Sequence, residues 1–407
     1  MSQIDSAWGA GPTPGYEALA EPFRALFASL AEGAIERELD RRLPWQELQS
    51  LKDAGFTAVR VPVEYGGRGA NLPELFNLLI ELGAADSNLV QALRGHFGFV
   101  EDVLNHPDPA YRQRWLERLG RGEVVGPATG EIGQARQAQH GTQLQSSANG
   151  WRLNGSKFYT TGSLYSDWIF VSASGPDGER LGATVRSNAP GVEVIDDWNG
   201  FGQTLTASGT AHFRDVHVDP ANVVSFEQRF GYSPAFYQMV HLANLAGIGR
   251  AQTNQVARAV AQRTRSFSNG NADRVANDPQ VLQVVGQVRG AAYGAGAIVL
   301  KIAEALQRAH VATLAGDTQA IEQAVIIAEL EVAQSQTLVS QLILDASTLA
   351  FDALSASATL RPQGLDRFWR NARTLSSHNP RFYKDRIVGD YAVNGTAPPG
   401  QWKIGVA

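Results

Sequence analysis

Apolar positions along the chain follow three successive rhythms. Between residues 17 and 42, Leu19, Phe23, Leu26, Phe27, Leu30 and Ala34 recur every three or four positions, which places them on one face of a single long helix. Pro44 opens a second helix that reaches about Asp53 before Gly55 stops it. Pro73 starts a third to about Ala84, Asp86 or Ser87 caps a fourth running to Asn105, and a fifth fills about 109–121. Residues 1–122 therefore read as an N-terminal helical domain. At Glu123 the period shortens: VVGPATGE, TQLQSS, WRLNGSKFYTT, DWIFVSASG, LGATVRS, GVEVIDDW and GTAHFRDVHVD are short β-rich runs separated by turn residues. Seven runs in about a hundred residues predict an antiparallel barrel or sandwich over 123–232. From Ser233 the helical period returns, with long helices expected at 236–267, 279–315 and 318–353 and a shorter one at 364–375. Long helices joined by short turns make a bundle, assigned to 233–407 together with the C-terminal tail. The predicted class is α+β, mostly α.

The stretch from Asn149 to Val171 stands apart. Two Asn-Gly pairs, Asn149-Gly150 and Asn154-Gly155, bracket Trp151-Arg152-Leu153, and Asn-Gly between apolar runs is a strong hairpin signal. Phe158, Tyr159, Thr160 and Thr161 then set aromatic surface beside two hydroxyls before Gly162-Ser163 breaks the run. Such a platform suits a flat ligand with a polar edge. A core strand with two threonines on its wet face has the same pattern, and these residues alone leave both readings open.

Composition narrows the field. The 407 residues are 43% hydrophobic and 18% charged, with a formal net charge of -5 and pI near 5.9; this is not the basic surplus of a nucleic-acid binder. Cysteine is absent, which removes disulfides, thiolate metal sites and a cysteine nucleophile. The first residues lack the charged and apolar regions of a signal peptide, and no apolar run has membrane-spanning length; a cytoplasmic protein is expected. No GxGxxG follows a predicted strand and no GxSxG occurs. Gly150–Lys157 imitates a phosphate loop but ends Gly-Ser-Lys in a hairpin context. His212 and His217 lie five apart in a predicted strand, on opposite faces, so no metal site is assigned.

Helices, a small β-domain and a helical bundle in that order resemble the acyl-CoA dehydrogenase fold. Pro127-Ala128-Thr129-Gly130-Glu131 is similar to that family's Thr-Glu-Pro loop beside the flavin. Lys157-Phe158-Tyr159-Thr160-Thr161-Gly162 is similar to its Lys-x-Trp-Ile-Thr-Asn strand, whose aromatic residue packs on the isoalloxazine and whose threonine bonds the N5 edge. Arg370-Asn371-Ala372-Arg373 resembles its late Arg-Asp-Ala-Arg run. Two departures separate this chain from the dehydrogenases. The slot of their catalytic glutamate reads Leu375-Ser376-Ser377-His378-Asn379-Pro380, and no Glu lies between Glu227 and Glu304, so the base that would remove an α-proton is missing. The glycine-rich adenine cradle is also missing near 347–355, where the chain reads DASTLAFDA, which points to FMN in place of FAD.

Both departures resemble the two-component monooxygenases of this fold, which take reduced FMN from an NAD(P)H-dependent reductase and use O2; the organosulfur oxygenases acting on dibenzothiophene, dimethyl sulfone and methanesulfinate are the nearest group. Phe368–Thr374 followed by His378-x-Pro380 and Tyr383-Lys384 resembles their C-terminal signature. The resemblance implies His378 and Thr161 as catalytic groups; His96, in the helix LRGHFGFVEDVL, is a third candidate that could face the same pocket, with a packed histidine as the alternative reading. It implies Thr129, Glu131, Tyr159, Thr160, Thr161, Ser163 and Trp198 around the flavin, with Phe201 as a further wall. Gln262-Arg263-Thr264-Arg265 resembles the segment whose second arginine holds the FMN phosphate, so Arg265, with nearby Phe267, is expected at the cofactor of its own or a neighbouring subunit in a homotetramer. The expected activity is oxygenation of a small organosulfur compound, methanesulfinate first. An FAD-dependent acyl-CoA dehydrogenase, an oxygenase of aromatic, thiophene or amine substrates, and a non-enzymatic helical scaffold are the alternatives.

Overall fold

The computed structural model describes residues 7–131 and 141–400; the outer ends of the first and last predicted domains, 1–6 and 401–407, lie outside them. Six helices come first: α1 (Tyr16–Glu32), α2 (Ala34–Asp40), α3 (Trp45–Asp53), α4 (Leu72–Ala85), α5 (Ser87–Leu104) and α6 (Pro109–Gly120). The single long helix expected over 17–42 is broken at Gly33, which terminates α1 and caps α2. Asn71 and Glu74 close a reciprocal capping box on α4, and Asp86 caps α5 by accepting from Asn88 N.

Eight strands follow: β1 (Val125–Ala128), β2 (Gln143–Ser147), β3 (Gly150–Lys157), β4 (Trp168–Ser174), β5 (Arg180–Arg186), β6 (Val192–Ile195), β7 (Thr210–Val218) and β8 (Val223–Ser225). They form one sheet in the order β6-β7-β3-β2-β4-β5-β8, with β1 added beside β4. The sheet is antiparallel-rich, but β1 and β2 each meet β4 in parallel, and hydrogen bonding among the described residues does not close it into a barrel. The β2–β3 hairpin exists, turning at Ala148-Asn149. Asn154-Gly155 is no turn: it is a bulge where the β3–β7 register shifts, and Gly155 takes φ +148. A Cβ there would collide with Thr142, so glycine is required by close approach.

The last part holds α7 (Ser233–Gln262), α8 (Pro279–Ala315), α9 (Thr318–Leu349), α10 (Asp366–Ser376) and α11 (Lys384–Asn394). Helix α7 stops five residues short of the expected end because Arg263 turns extended and donates to Leu354 O at 2.9 Å. Helix α4 packs on α7 and α8, and Phe76 meets Phe236 with ring centroids 5.4 Å apart; the N-terminal helices and the bundle thus share one apolar core. A second core fills the sheet around Leu153, Val171 and Phe213. No helix among the described residues is long and apolar enough to cross a membrane.

Candidate active site

Helix α5 is the beam on which the three parts converge. Gly162 packs against Ala92 O and Gly98 against the Tyr237 hydroxyl so closely that a Cβ at either would collide. At the start of α5, Asn88 Nδ2 donates to Glu38 Oε2 at 2.9 Å, and its Oδ1 accepts from Leu205 N at 3.3 Å. From the bundle, Asn371 Oδ1 accepts from Gln203 N at 2.5 Å, and Arg370 Nη1 donates to Glu38 Oε1 at 3.2 Å and to Phe201 O at 2.9 Å. Burial pushes the Glu38 carboxyl above its ordinary range, only partly offset by Asn88 and Arg370. This junction anchors the late Arg-Asn-Ala-Arg run to the loop that carries Trp198 and Phe201.

That loop also orders the hydroxyls. Thr206 Oγ1 donates to Gln203 O at 2.8 Å, Ser208 Oγ lies 2.7 Å from Thr206 Oγ1, and Thr161 Oγ1 lies 2.7 Å from Ser208 Oγ. Each hydroxyl has one proton. Since that of Thr206 goes to a carbonyl, Ser208 must donate to Thr206 and Thr161 to Ser208. Thr161 therefore keeps only lone pairs for a ligand and is poised to accept. Thr160 is fully buried and donates to Gly209 O at 3.0 Å; Ser163 is likewise buried and donates to Pro127 O at 2.8 Å. Both set the backbone around Thr161. Tyr159 is 58% exposed and held at φ +59, an uncommon conformation for a bulky residue; its ring centroid is 6.1 Å from that of Trp198. Phe201 stacks on Trp369 at 6.0 Å, both exposed. Tyr159, Trp198 and Thr161 thus present an open aromatic surface with an acceptor.

Beneath this surface, Lys157 Nζ donates to Glu131 Oε1 at 2.5 Å, and Glu131 Oε2 accepts from Gly141 N at 2.8 Å. Burial opposes the Glu131 charge, but Lys157 and the amides outweigh it and hold the carboxyl down at about 2. Burial likewise lowers Lys157, to about 8, against the pull of Glu131. With both oxygens engaged, Glu131 links the end of β1 to Gly141 and Lys157, and the Thr129 carbonyl accepts from Ser172 Oγ at 3.2 Å.

His378 occupies the slot of the missing glutamate, just beyond α10. Its ring centroid is 4.4 Å from that of His241 on α7. His378 is exposed to solvent; desolvation by the protein around it, then the Arg94 charge, pushes its pKa down to about 3, a push that its exposure moderates. His241 is 2% exposed, and among the described residues both its ring nitrogens lack partners; burial, Arg94 and His378 push it down as well. Both imidazoles are neutral near pH 7. Sequence reasoning singled out neither His241 nor Arg94.

His96 departs from expectation. It is fully buried, its Nε2–H donates to Thr57 O at 2.8 Å, and its Nδ1 accepts from Val125 N at 3.3 Å. Burial lowers its pKa to about 4. It joins α5 to β1 and has no nitrogen left for a ligand. Arg94 and His96, two apart on one helix, point to opposite sides; it is Arg94 that turns toward α7. Arg265 and Phe267 lie on the exposed segment after α7. Among the described residues Arg265 has no carboxylate partner, and Phe267 carries the Arg263 guanidinium 5.4 Å from its ring centroid.

Family models for the acyl-CoA dehydrogenase N-terminal and C-terminal domains match residues 13–123 and 239–380. The chain belongs to the acyl-CoA dehydrogenase family. Within it, the chain is 26% identical over 384 residues to SfnC of Pseudomonas putida, described as a probable FMNH2-dependent monooxygenase, covering 92% of this chain and 94% of that protein. It is 28% identical to the dibenzothiophene monooxygenase of Rhodococcus qingshengii, covering 94% and 93%. The methanesulfinate monooxygenase MsuC of Pseudomonas fluorescens superposes with a TM-score of 0.84 at 25% identity, covering 94% and 98%. The chain is an enzyme of the monooxygenase branch of its family.

Proposed function

We propose that this protein takes reduced FMN from a separate NAD(P)H-dependent reductase and uses O2 to oxygenate a small organosulfur compound, methanesulfinate to methanesulfonate. The balance is sulfinate + O2 + FMNH2 → sulfonate + FMN + H2O. The observation that carries the reading is the slot of the dehydrogenase base, filled here by the neutral pair His378 and His241. A neutral imidazole can pass a proton to or from oxygen, whereas removal of an α-proton needs a stronger, correctly placed base.

The residues present fit FMN. Bound reduced FMN supplies the electrons that activate O2. Tyr159 and Trp198 offer ring faces for the isoalloxazine, and Thr161, limited to accepting, matches the N5–H that a reduced flavin carries and an oxidised one lacks. Arg265 offers the phosphate a bidentate fork, with Phe267 beside it. Its exposure on a single chain agrees with service to a neighbouring subunit, and the exposed apolar residues Leu282, Tyr293, Val311, Leu314 and Leu338 on α8 and α9 support a homotetramer.

The test is anaerobic titration with reduced FMN and reduced FAD, followed by mixing with oxygenated buffer while flavin absorbance is recorded. Reduced FMN is expected to bind and to reoxidise through a transient species whose decay quickens with the sulfur substrate. Tight oxidised FAD bleached by acyl-CoA thioesters would overturn the reading.

A further inference from the structure

Among the described residues, Arg94 forms no ion pair with a carboxylate, unlike the neighbouring Arg229. Its Nε donates to Tyr237 O at 3.1 Å, and its guanidinium lies 4.7 Å from the Tyr237 ring centroid. The neighbouring cation, Arg229, is different: it grips Asp102 at 2.7 Å and donates to the Tyr237 hydroxyl at 2.7 Å. Asp102 is thus already committed. Burial, reinforced by Arg229, disfavours the Arg94 charge, and a sheltered charge left unpaired is costly. Such an arrangement persists where a ligand completes it.

The same place leaves further polar atoms unused. Among the described residues both ring nitrogens of His241 are buried without partners. Tyr237 and His241, four apart on α7, share a face. His378, against His241, is the member that solvent reaches. His241 thus lies within the electrostatic reach of both Arg94 and His378, and among the described residues no ion pair joins any of the three to a carboxylate.

We propose that Arg94, with His241 beside it, is an anion-recognition subsite that seats the oxygens of a small sulfinate and so selects an anionic over a neutral sulfur substrate. This rests on the oxygenase reading above and names the substrate class for that site. The guanidinium supplies two parallel N–H donors to two oxygens of one headgroup, and a neutral imidazole adds one N–H. A sulfone or a thiophene brings no charge to complete the site.

The experiment is calorimetric titration under anaerobic conditions, with and without reduced FMN, using methanesulfinate and its neutral isostere dimethyl sulfone. Wild type is expected to bind methanesulfinate at least tenfold more tightly than the sulfone. Arg94→Met is expected to lose that preference while its affinity for reduced FMN stays within twofold of wild type; Arg94→Lys, retaining charge without the fork, should fall between. Equal binding of the two ligands by wild type, a comparison that needs no variant to fold, overturns the subsite. So does an unchanged preference in Arg94→Met. The two readings fail separately. If the protein binds no reduced flavin, the oxygenase reading falls, and titration of the flavin-free protein still decides the subsite. If dimethyl sulfone is preferred and oxygenated, the oxygenase stands and the subsite falls.

Discussion

At the scale of single residues, proton bookkeeping decides more than identity does. Thr161 is useful to a reduced flavin because Thr206 is committed to Gln203 O and so fixes the direction of the two hydroxyls beyond it. Ser208→Ala cuts that chain and frees Thr161 to donate. The expected outcome is about tenfold weaker binding of reduced FMN, the worth of one hydrogen bond, with a narrower gap between reduced and oxidised flavin in fluorescence titrations. An unchanged gap would remove Thr161 from the N5 edge. His96 makes a prediction of another kind. Its folded pKa, about 4, lies below the unfolded value near 6.5. The unfolded chain therefore binds a proton first, and stability present above pH 6.5 is lost as pH falls toward 4. Between pH 7 and 5 the loss from His96 alone is about 2 kcal/mol. Urea denaturation at the two pH values should show a smaller pH difference in His96→Gln by about that amount, whatever the variant's stability at pH 7.

At the scale of elements, the junction among α2, the start of α5, the Trp198–Gly209 loop and α10 holds the site together. Gln203 sits at φ +52, a strained conformation for a non-glycine residue, and its amide is satisfied by Asn371 Oδ1. Asn371→Leu preserves side-chain volume but orphans that buried N–H, which costs about 2 kcal/mol and releases the loop bearing Trp198 and Phe201. Chemical denaturation should register the loss, and flavin affinity should fall with it although Asn371 is far down the chain from Thr161. A variant with wild-type stability would show that the loop is held elsewhere.

At the scale of the whole molecule, Arg265 is an exposed cation with no carboxylate partner among the described residues, whereas Tyr159 and Thr161 lie in the β-domain. If the phosphate is gripped by a neighbour, Arg265→Ala and Thr161→Val subunits should be separately impaired in FMN binding and recover part of it when unfolded, mixed and refolded together, since some sites in the mixed assembly are then intact. Sedimentation should report four times the 43.8 kDa chain mass. Absence of recovery in a verified mixed tetramer would place Arg265 and Thr161 at the same subunit's flavin.

The order of helices, sheet and bundle was legible along the chain because amphipathic period is a local property, set by which face of each element meets a core. The platform Tyr159–Thr161 and the histidine in the base slot were legible too, since they lie within short ordered motifs. Local patterning failed where distant segments arbitrate. The Asn-Gly pair at Asn154-Gly155 became a bulge because Thr142 crosses it, and Glu131 became a clamp because Lys157 lies beneath it. Most telling is the segment Arg94-Gly95-His96. Its sequence contains both a cation and a histidine, and nothing local says which of them meets a ligand. The packing of α5 between β1 and α7 decides it, directing His96 into backbone partners and Arg94 toward His241, residues separated by about 150 positions that only the folded chain brings together.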